Sequence, residues 1–428
     1  MNIQNTLDPL SRRAFCERWA KAALGVTVLS GTGRLGWAEE SAEIAASGPG
    51  FGKAKNIIFL QMIGGMTHID TLDPKEGATQ GPKAPIATAA DFQLGGTMTQ
   101  LAKQADKVSI IRSMTSKTGV HASGQYLIRS GYEQRGTIKH PNMGAWAQHY
   151  KGDSHPTLPS SVCVNRQPQN GNGFFPASYS PLPILEPSAG LQYSKSDTAD
   201  ETMTKRLALL EDLDAGFRDR FQTASVQSYT QFYEKTVNIM SSTDLEAFQL
   251  DDEPSELKER YGNNKLGQGM LLARRLVEKG IRYVEVAGGG WDMHNNIEEA
   301  LEDRGTELDV ALAALLEDLQ QRGLLETTLV VLCSEFGRGP KINGNGGRDH
   351  HPRVFSTLLA GGGIKGGYVH GSSDAEGNAV AEAEVTVPDF LSTIGWSLGL
   401  PLTEEALSPS GRPFTVSNKG KPVMEVFA

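Results

Sequence analysis

Short apolar runs alternate with amphipathic stretches along most of the chain. Residues 56–63 (NIIFLQMI) form an apolar run closed by Gly64 and Gly65, the pattern of a strand buried on both faces. Residues 327–333 repeat it, and 108–111, 281–286 and 355–360 also read as strands. Between them the spacing of apolar positions predicts helices over 101–106, 123–130, 266–279 and 298–322. The last three end at Gly131, Gly280 and Gly323. A further helix runs from Val387, Pro388 and Asp389 to about 398. Residues 200–251 also read as helical, with Leu207, Leu209, Leu210, Leu213 and Phe217 on one side. Strand and helix in alternation, without long meanders, predict an α/β fold, a mostly parallel sheet covered by helices.

Residues 153–200 break this rhythm. They are dense in Pro, Ser, Asn and Gly and lack periodicity, so they predict a surface excursion at the rim of a site. The resulting organisation is an N-terminal segment over 1–38, a linker over 39–52 and one domain over 53–428, with a loop and helical excursion at about 153–260.

Composition narrows the function classes. With 39% hydrophobic and 21% charged residues, the 428-residue chain can bury a full core as an ordinary soluble globular protein. Its net charge of −9 and lack of a basic stripe argue against nucleic acid as a partner. Of three cysteines, Cys16 precedes the domain and Cys163 and Cys333 lie within it, so one disulfide at most is expected. Cys333 falls inside an apolar strand and reads as a small buried hydrophobe.

The N-terminus reads as an export address. Ser11, Arg12, Arg13, Ala14 and Phe15 form a twin-arginine motif, followed by a weakly apolar run over 22–31 and a small-x-small site at Gly36, Trp37 and Ala38. An amphipathic N-terminal helix is the competing reading. The expectation is passage through the twin-arginine translocase to the periplasm or beyond, with no permanent membrane span.

Candidate chemistry is concentrated in four short loops carrying five of the nine histidines. These are GGMTHID with His68 and Asp70, HASG with His121 and Ser123, GGGWDMH with Asp292 and His294, and GRDHHP with His350 and His351. Asp292 and His294, two positions apart in an extended loop, can turn to one ion. Adjacent His350 and His351 must diverge, so one is expected at an ion and the other behind it or at substrate. Glu335 follows a strand in the form Ser-Glu-Phe-Gly-Arg, on the edge where parallel sheets bind ligands. His121 can serve as nucleophile, ligand or acid/base group. Ser123 and Arg129 accompany it, the arginine as a partner for an oxyanion. Structural alternatives stand beside these: helix capping for Asp292, a salt bridge to Arg338 for Glu335, an Asx turn for Asp70. His140, His149, His155 and His370 lack acidic company on such loops. No Gly-x-Ser-x-Gly elbow follows a strand, since the match Gly395, Ser397 and Gly399 falls at the end of the helix from Val387; a phosphate-binding Gly-x-x-x-x-Gly-Lys loop and Cys-x-x-Cys are absent from the sequence.

Taken together, GGMTHIDTLDPK, HASGQYLIRSGY, ERYGNNKLGQGMLLARRLVEKGIRYVEV, GGGWDMHNN, TLVVLCSEFGRGPKIN, GRDHHP and VTVPDFLSTIGWSLGL resemble the DUF1501 family of exported bacterial proteins over roughly residues 50–400. That family is grouped with alkaline phosphatases and sulfatases. The resemblance implies an α/β/α sandwich and descent from metal-dependent hydrolases of phosphate or sulfate esters. In its register Glu335 takes the place of a metal-binding aspartate and Phe336 that of a His or Asn ligand. His121 takes the nucleophile position, and His68 or Asp70 substitutes for the aspartate after the first strand.

The expectation is therefore an exported metal-dependent hydrolase of a small-molecule or glycan ester. Asp292, His294, Glu335, His350, His351, His68 and Asp70 are its candidate ligands, and His121, Ser123 and Arg129 its candidate catalytic groups. Mixed nitrogen and oxygen donors suit Zn, Mn or Fe better than Ca. The alternative is a non-catalytic binding or scaffold protein on a degenerate sulfatase-like fold.

Overall fold

The computed structural model describes residues 47–192, 200–221 and 223–428. The twin-arginine leader over 1–38, Cys16 and most of the 39–52 linker lie outside the described residues. The strands that matter are β1 (Asn56–Met62), β2 (Val108–Thr115), β3 (Ser161–Val164), β4 (Leu182–Ile184), β5 (Tyr283–Gly288), β6 (Thr328–Cys333), β7 (Gly337–Ile342), β8 (Arg348–His351), β9 (Phe355–Ala360), β10 (Tyr368–His370) and β11 (Val385–Thr386). The principal helices are α1 (His121–Ser130), α2 (Met143–Lys151), α3 (Asp200–Arg220), α4 (Ala224–Ser241), α5 (Ser255–Tyr261), α6 (Lys265–Glu278), α7 (Thr306–Gln321) and α8 (Val387–Ser397).

Nine strands form one sheet in the order β10-β2-β9-β6-β1-β5-β3-β4, with β11 also pairing to β2. Pairing is parallel except at β9, which runs antiparallel to both β2 and β6. The alternation along each strand shows why the runs are apolar throughout. Ile58, Leu60 and Met62 of β1 join Val330 and Leu332 of β6 in a core that includes Met270 of α6 and Leu312 of α7. Ile57 and Phe59 join Leu329 and Val331 in a second core with Trp146 of α2 and Phe390 of α8. Each sheet face is covered by its own helices, so the architecture is an α/β/α sandwich.

Local chemistry sets the helix ends. Asn142 and Asn264 cap α2 and α6 by accepting from the amides of Ala145 and Gly267. Thr386 and Asp389 form a reciprocal capping box at α8. The long helix expected over 298–322 is observed with an interruption, a π turn at Leu301–Gly305 ahead of α7.

The 153–200 excursion differs from expectation. Val162, Val164, Leu182 and Ile184 are fully buried, and they place β3 and β4 at one end of the main sheet. Strands this short, one of them broken by Pro183, have too few residues to show a period of two; an edge strand tolerates the proline. In α3, Leu209, Leu213 and Phe217 are exposed. Cys163 and Cys333 are both buried free thiols. Among the described residues no helix is long and apolar enough to cross a membrane.

Candidate functional site

Five segments meet at the carboxyl edge of the parallel strands: the turn after β1, the loop from β2 into α1, the loop after β5, the turn after β6, and the β7–β8 hairpin. Gly64 lets the first reach the third. Its φ is 121°, and a Cβ there would sit 2.3 Å from the amide nitrogen of Asp292. Gly124 does the same for α1, where an added Cβ would be 3.0 Å from the Cβ of Glu335.

Asp292 is the hub. Its Oδ1 lies 3.0 Å from His294 Nε2, 3.2 Å from His350 Nε2 and 3.3 Å from His121 Nε2. It also accepts from Arg338 Nη2. The Arg338 side chain is fully buried and donates further to the carbonyls of Gly64, Gly65 and Arg348. Burial opposes ionisation of Asp292, but the hydrogen bond and charge of Arg338 outweigh it and hold the carboxyl well below its ordinary range.

The Nδ1 atoms of the three imidazoles all face oxygens. His350 Nδ1 lies 2.7 Å from the carbonyl oxygen of Gly119, which can only accept. His121 Nδ1 lies 2.8 Å from Glu335 Oε1, and His294 Nδ1 lies 3.3 Å from Asp349 Oδ1. Each Nδ1 thus has an oxygen to donate to, an arrangement that frees each Nε2 to face inward as a ligand nitrogen. His294 Nε2 and His350 Nε2 are 2.9 Å apart. His121 Nε2 is sealed from solvent with no hydrogen-bond partner. Three Nε2 atoms thus converge on one carboxylate oxygen. The donor set fits a divalent metal ion, and the atoms of His121, Asp292 and His350 lie within 4.8 Å of one another.

Glu335 stands behind the donors. It is fully buried, and its Oε1 accepts from the amide of Gly64 at 3.0 Å as well as from His121. Its other oxygen takes Ser334 Oγ at 3.2 Å. The carboxylate thus orients His121 instead of reaching the centre, and Arg338 pairs with Asp292 rather than with Glu335. Phe336, in the position of a ligand in the sulfatase register, packs its buried ring against His121 and His350, with centroids 5.0 and 4.8 Å away.

The other candidates lie elsewhere. His351 points to the far side of its strand and meets the carbonyl of Asn378 at 2.7 Å. His68 is fully buried against the carbonyl of Gly377 at 2.9 Å, and burial pushes its pKa down to about 4. Asp70 takes Arg348 through both oxygens, at 2.8 and 3.0 Å, plus the Thr67 hydroxyl at 2.6 Å. It anchors the hairpin that carries His350. Arg129 is 2% exposed and ion-paired to Glu285 at 2.8 Å, inside the protein and not at an oxyanion position. Ser123 is half-buried in the first turn of α1. Arg338, which the sequence offered only as a salt-bridge partner for Glu335, is paired with Asp292 instead.

No curated protein matches the chain. Among solved structures, it is similar to a putative sulfatase from Bacteroides thetaiotaomicron at 9% identity, covering 87% of this chain and 74% of that one, with a TM-score of 0.40. The PsFucS1 sulfatase from Pseudoalteromonas sp. is similar at 13% identity, covering 81% and 68%, with a TM-score of 0.38. The alkaline phosphatase from the Antarctic bacterium TAB5 is similar at 16% identity, covering 73% and 92%, with a TM-score of 0.33. The family described as "Protein of unknown function (DUF1501)" matches residues 54–427, and the chain belongs to that family.

Proposed function

We propose that the protein is an exported metal-dependent hydrolase of phosphate or sulfate esters. The observation that carries the metal part is the convergence of three Nε2 atoms on Asp292 Oδ1, each imidazole having an oxygen acceptor at its Nδ1. In this reading Asp292, His121, His294 and His350 hold one divalent ion. Zn, Mn or Fe suits such donors better than Ca. The chemistry such an ion supplies when bound is Lewis-acid stabilisation of charge developing on the ester oxygens.

The chain's own residues prepare the site. Arg338 keeps Asp292 ionised and fixed. Glu335 and Gly119 hold the rings of His121 and His350 in the tautomers that present Nε2. Phe336 backs both rings and excludes water beneath them. The ester part rests on the resemblance of the sequence motifs to phosphatases and sulfatases, and the export part on Arg12 and Arg13. Small-molecule or glycan esters are the substrates, and the twin-arginine translocase is the partner during export.

The test is a panel of phosphate and sulfate esters, glycan sulfates included, on protein purified without chelator. Turnover that follows metal content and disappears in Asp292→Ala supports the reading. Stoichiometric metal without turnover on any ester leaves a binding role instead. Replacing Arg12 and Arg13 by lysine should retain the protein in the cytoplasm, and unchanged export would refute the address.

A further inference from the structure

The long helix expected over 298–322 is interrupted close to the loop that carries Asp292. A π turn at Leu301–Gly305 precedes α7 and presents three consecutive side chains, Glu302, Asp303 and Arg304, to solvent. Such turns worsen helix geometry, and they recur at binding sites. Here the turn forms one wall of a cavity of about 520 Å³, completed by Asn264, Thr306 and Glu307. That is the size of a small-molecule site.

The cavity lies on the same edge of the sheet as the His/Asp centre. α6 and α7 lead into the parallel strands β5 and β6, so their first turns, with Asn264 and Thr306, lie at the carboxyl edge. Arg304 lies over Gly290, where an added Cβ would sit 3.0 Å from its Nε. Gly290 is exposed, has a φ of 92° and stands two residues before Asp292, a span of at most about 7 Å. One continuous segment therefore carries both metal donors and cavity wall.

Charge is nearly balanced inside. Glu302 is paired with Lys83 at 3.2 Å, and Glu307 with Arg304 at 2.7 Å. Asp303 has no cation within salt-bridge distance among the described residues, and the positive end of α7 beside it offsets its charge. This balance disfavours an ionic ligand and leaves hydrogen-bonding groups for a neutral one. Asn264 uses its Oδ1 to accept from the amide of Gly267, so its Nδ2 remains a donor beside Gly262. Asp303 offers acceptors, Thr306 a hydroxyl, Arg304 further N–H donors, and half-buried Val310 an apolar patch. Donors and acceptors around a small apolar surface match a sugar ring, which has hydroxyls at its rim and C–H groups on its faces.

We propose that this cavity binds a neutral sugar unit of a glycan substrate, beside the unit whose ester group lies at the His/Asp centre. The inference rests on the glycan-ester part of the reading above and makes the substrate an oligomer or polymer held at two points.

The experiment is calorimetric titration of short ester-free oligosaccharides of glucose, galactose, mannose or fucose into wild type, D303A, R304A and D292A, with metal content and unfolding midpoint measured for each. The expected result is binding of at least one oligosaccharide by wild type, at least about 10-fold weaker in D303A and in R304A, the effect of losing a hydrogen bond to a charged group. Both side chains are exposed, so folding and metal content should be unchanged. D292A should bind the sugar as wild type does, because the cavity contains no metal donor. No binding by wild type, or binding unchanged in both D303A and R304A, overturns the assignment, and ester turnover would stand without it. Sugar binding with no turnover of any ester removes the hydrolase reading and leaves the cavity as a glycan-binding site.

Discussion

The Nε2 atoms of His294 and His350 lie 2.9 Å apart, each the inward nitrogen of a ring whose Nδ1 faces an oxygen acceptor. If both nitrogens are ligands, that separation calls for a positive charge between or beside them. Metal analysis of chelator-free protein should therefore give close to one divalent ion per chain. Asp292→Ala removes the oxygen shared by all three rings and should bring occupancy below about a tenth, an apparent loss of at least about 1.4 kcal/mol. Wild-type occupancy near zero after metal-replete growth, or an occupied Asp292→Ala protein, would sink the site.

Glu335 tests how far a supporting carboxylate sets the centre. Glu335→Ala leaves His121 free to rotate and to change tautomer, and should weaken metal binding about 10- to 100-fold in a chelator competition. Glu335→Gln retains an acceptor for His121 and should lose less. Equal losses in the two variants would mean that Glu335 acts by packing alone.

Asp70 makes the opposite prediction from the one its motif suggested. Its carboxylate is almost fully buried against Arg348, so Asp70→Ala leaves a guanidinium uncompensated in the core. Urea unfolding should show a loss of about 3–5 kcal/mol. The folded fraction should still carry metal, because Asp70 holds the hairpin and touches no ion. Loss of metal at unchanged stability would restore Asp70 as a ligand.

His68 predicts a pH dependence. Desolvation by burial lowers its folded pKa from 6.5 to about 4, partly offset by Asp73. Below pH 6.5 the unfolded chain binds this proton and the folded chain does not, so stability falls with pH and the loss is complete near pH 4. The total should be about 3 kcal/mol, with a slope approaching 1.4 kcal/mol per pH unit. Urea midpoints of wild type and His68→Gln between pH 7 and 4 measure it. The variant's curve should be flatter by this amount, and parallel curves would refute the assignment.

Much of the architecture was legible in the chain because burial on both faces of the sheet writes a largely apolar run. Residues 56–63, 327–333 and 355–360 carry that signal. β3 and β4 did not, since four and three residues are too short for any period and Pro183 reads as a loop. The metal-bearing loops were visible as histidine beside carboxylate after glycine.

What each of those residues does was settled by contacts distant in sequence. His350 and His351 are neighbours in the chain, yet strand geometry sends one to Asp292 and the other to Asn378. Asp70 and Arg348 are 278 positions apart, and Glu335 and His121 are 214 apart. A carboxylate in a motif becomes a ligand, an anchor or an orienting group according to which cation or N–H the fold brings to it. Sequence determined the set of chemical groups on the sheet edge, because residue type and strand period are local properties. Tertiary structure alone divided them into donors and supports, because charge pairing acts through space.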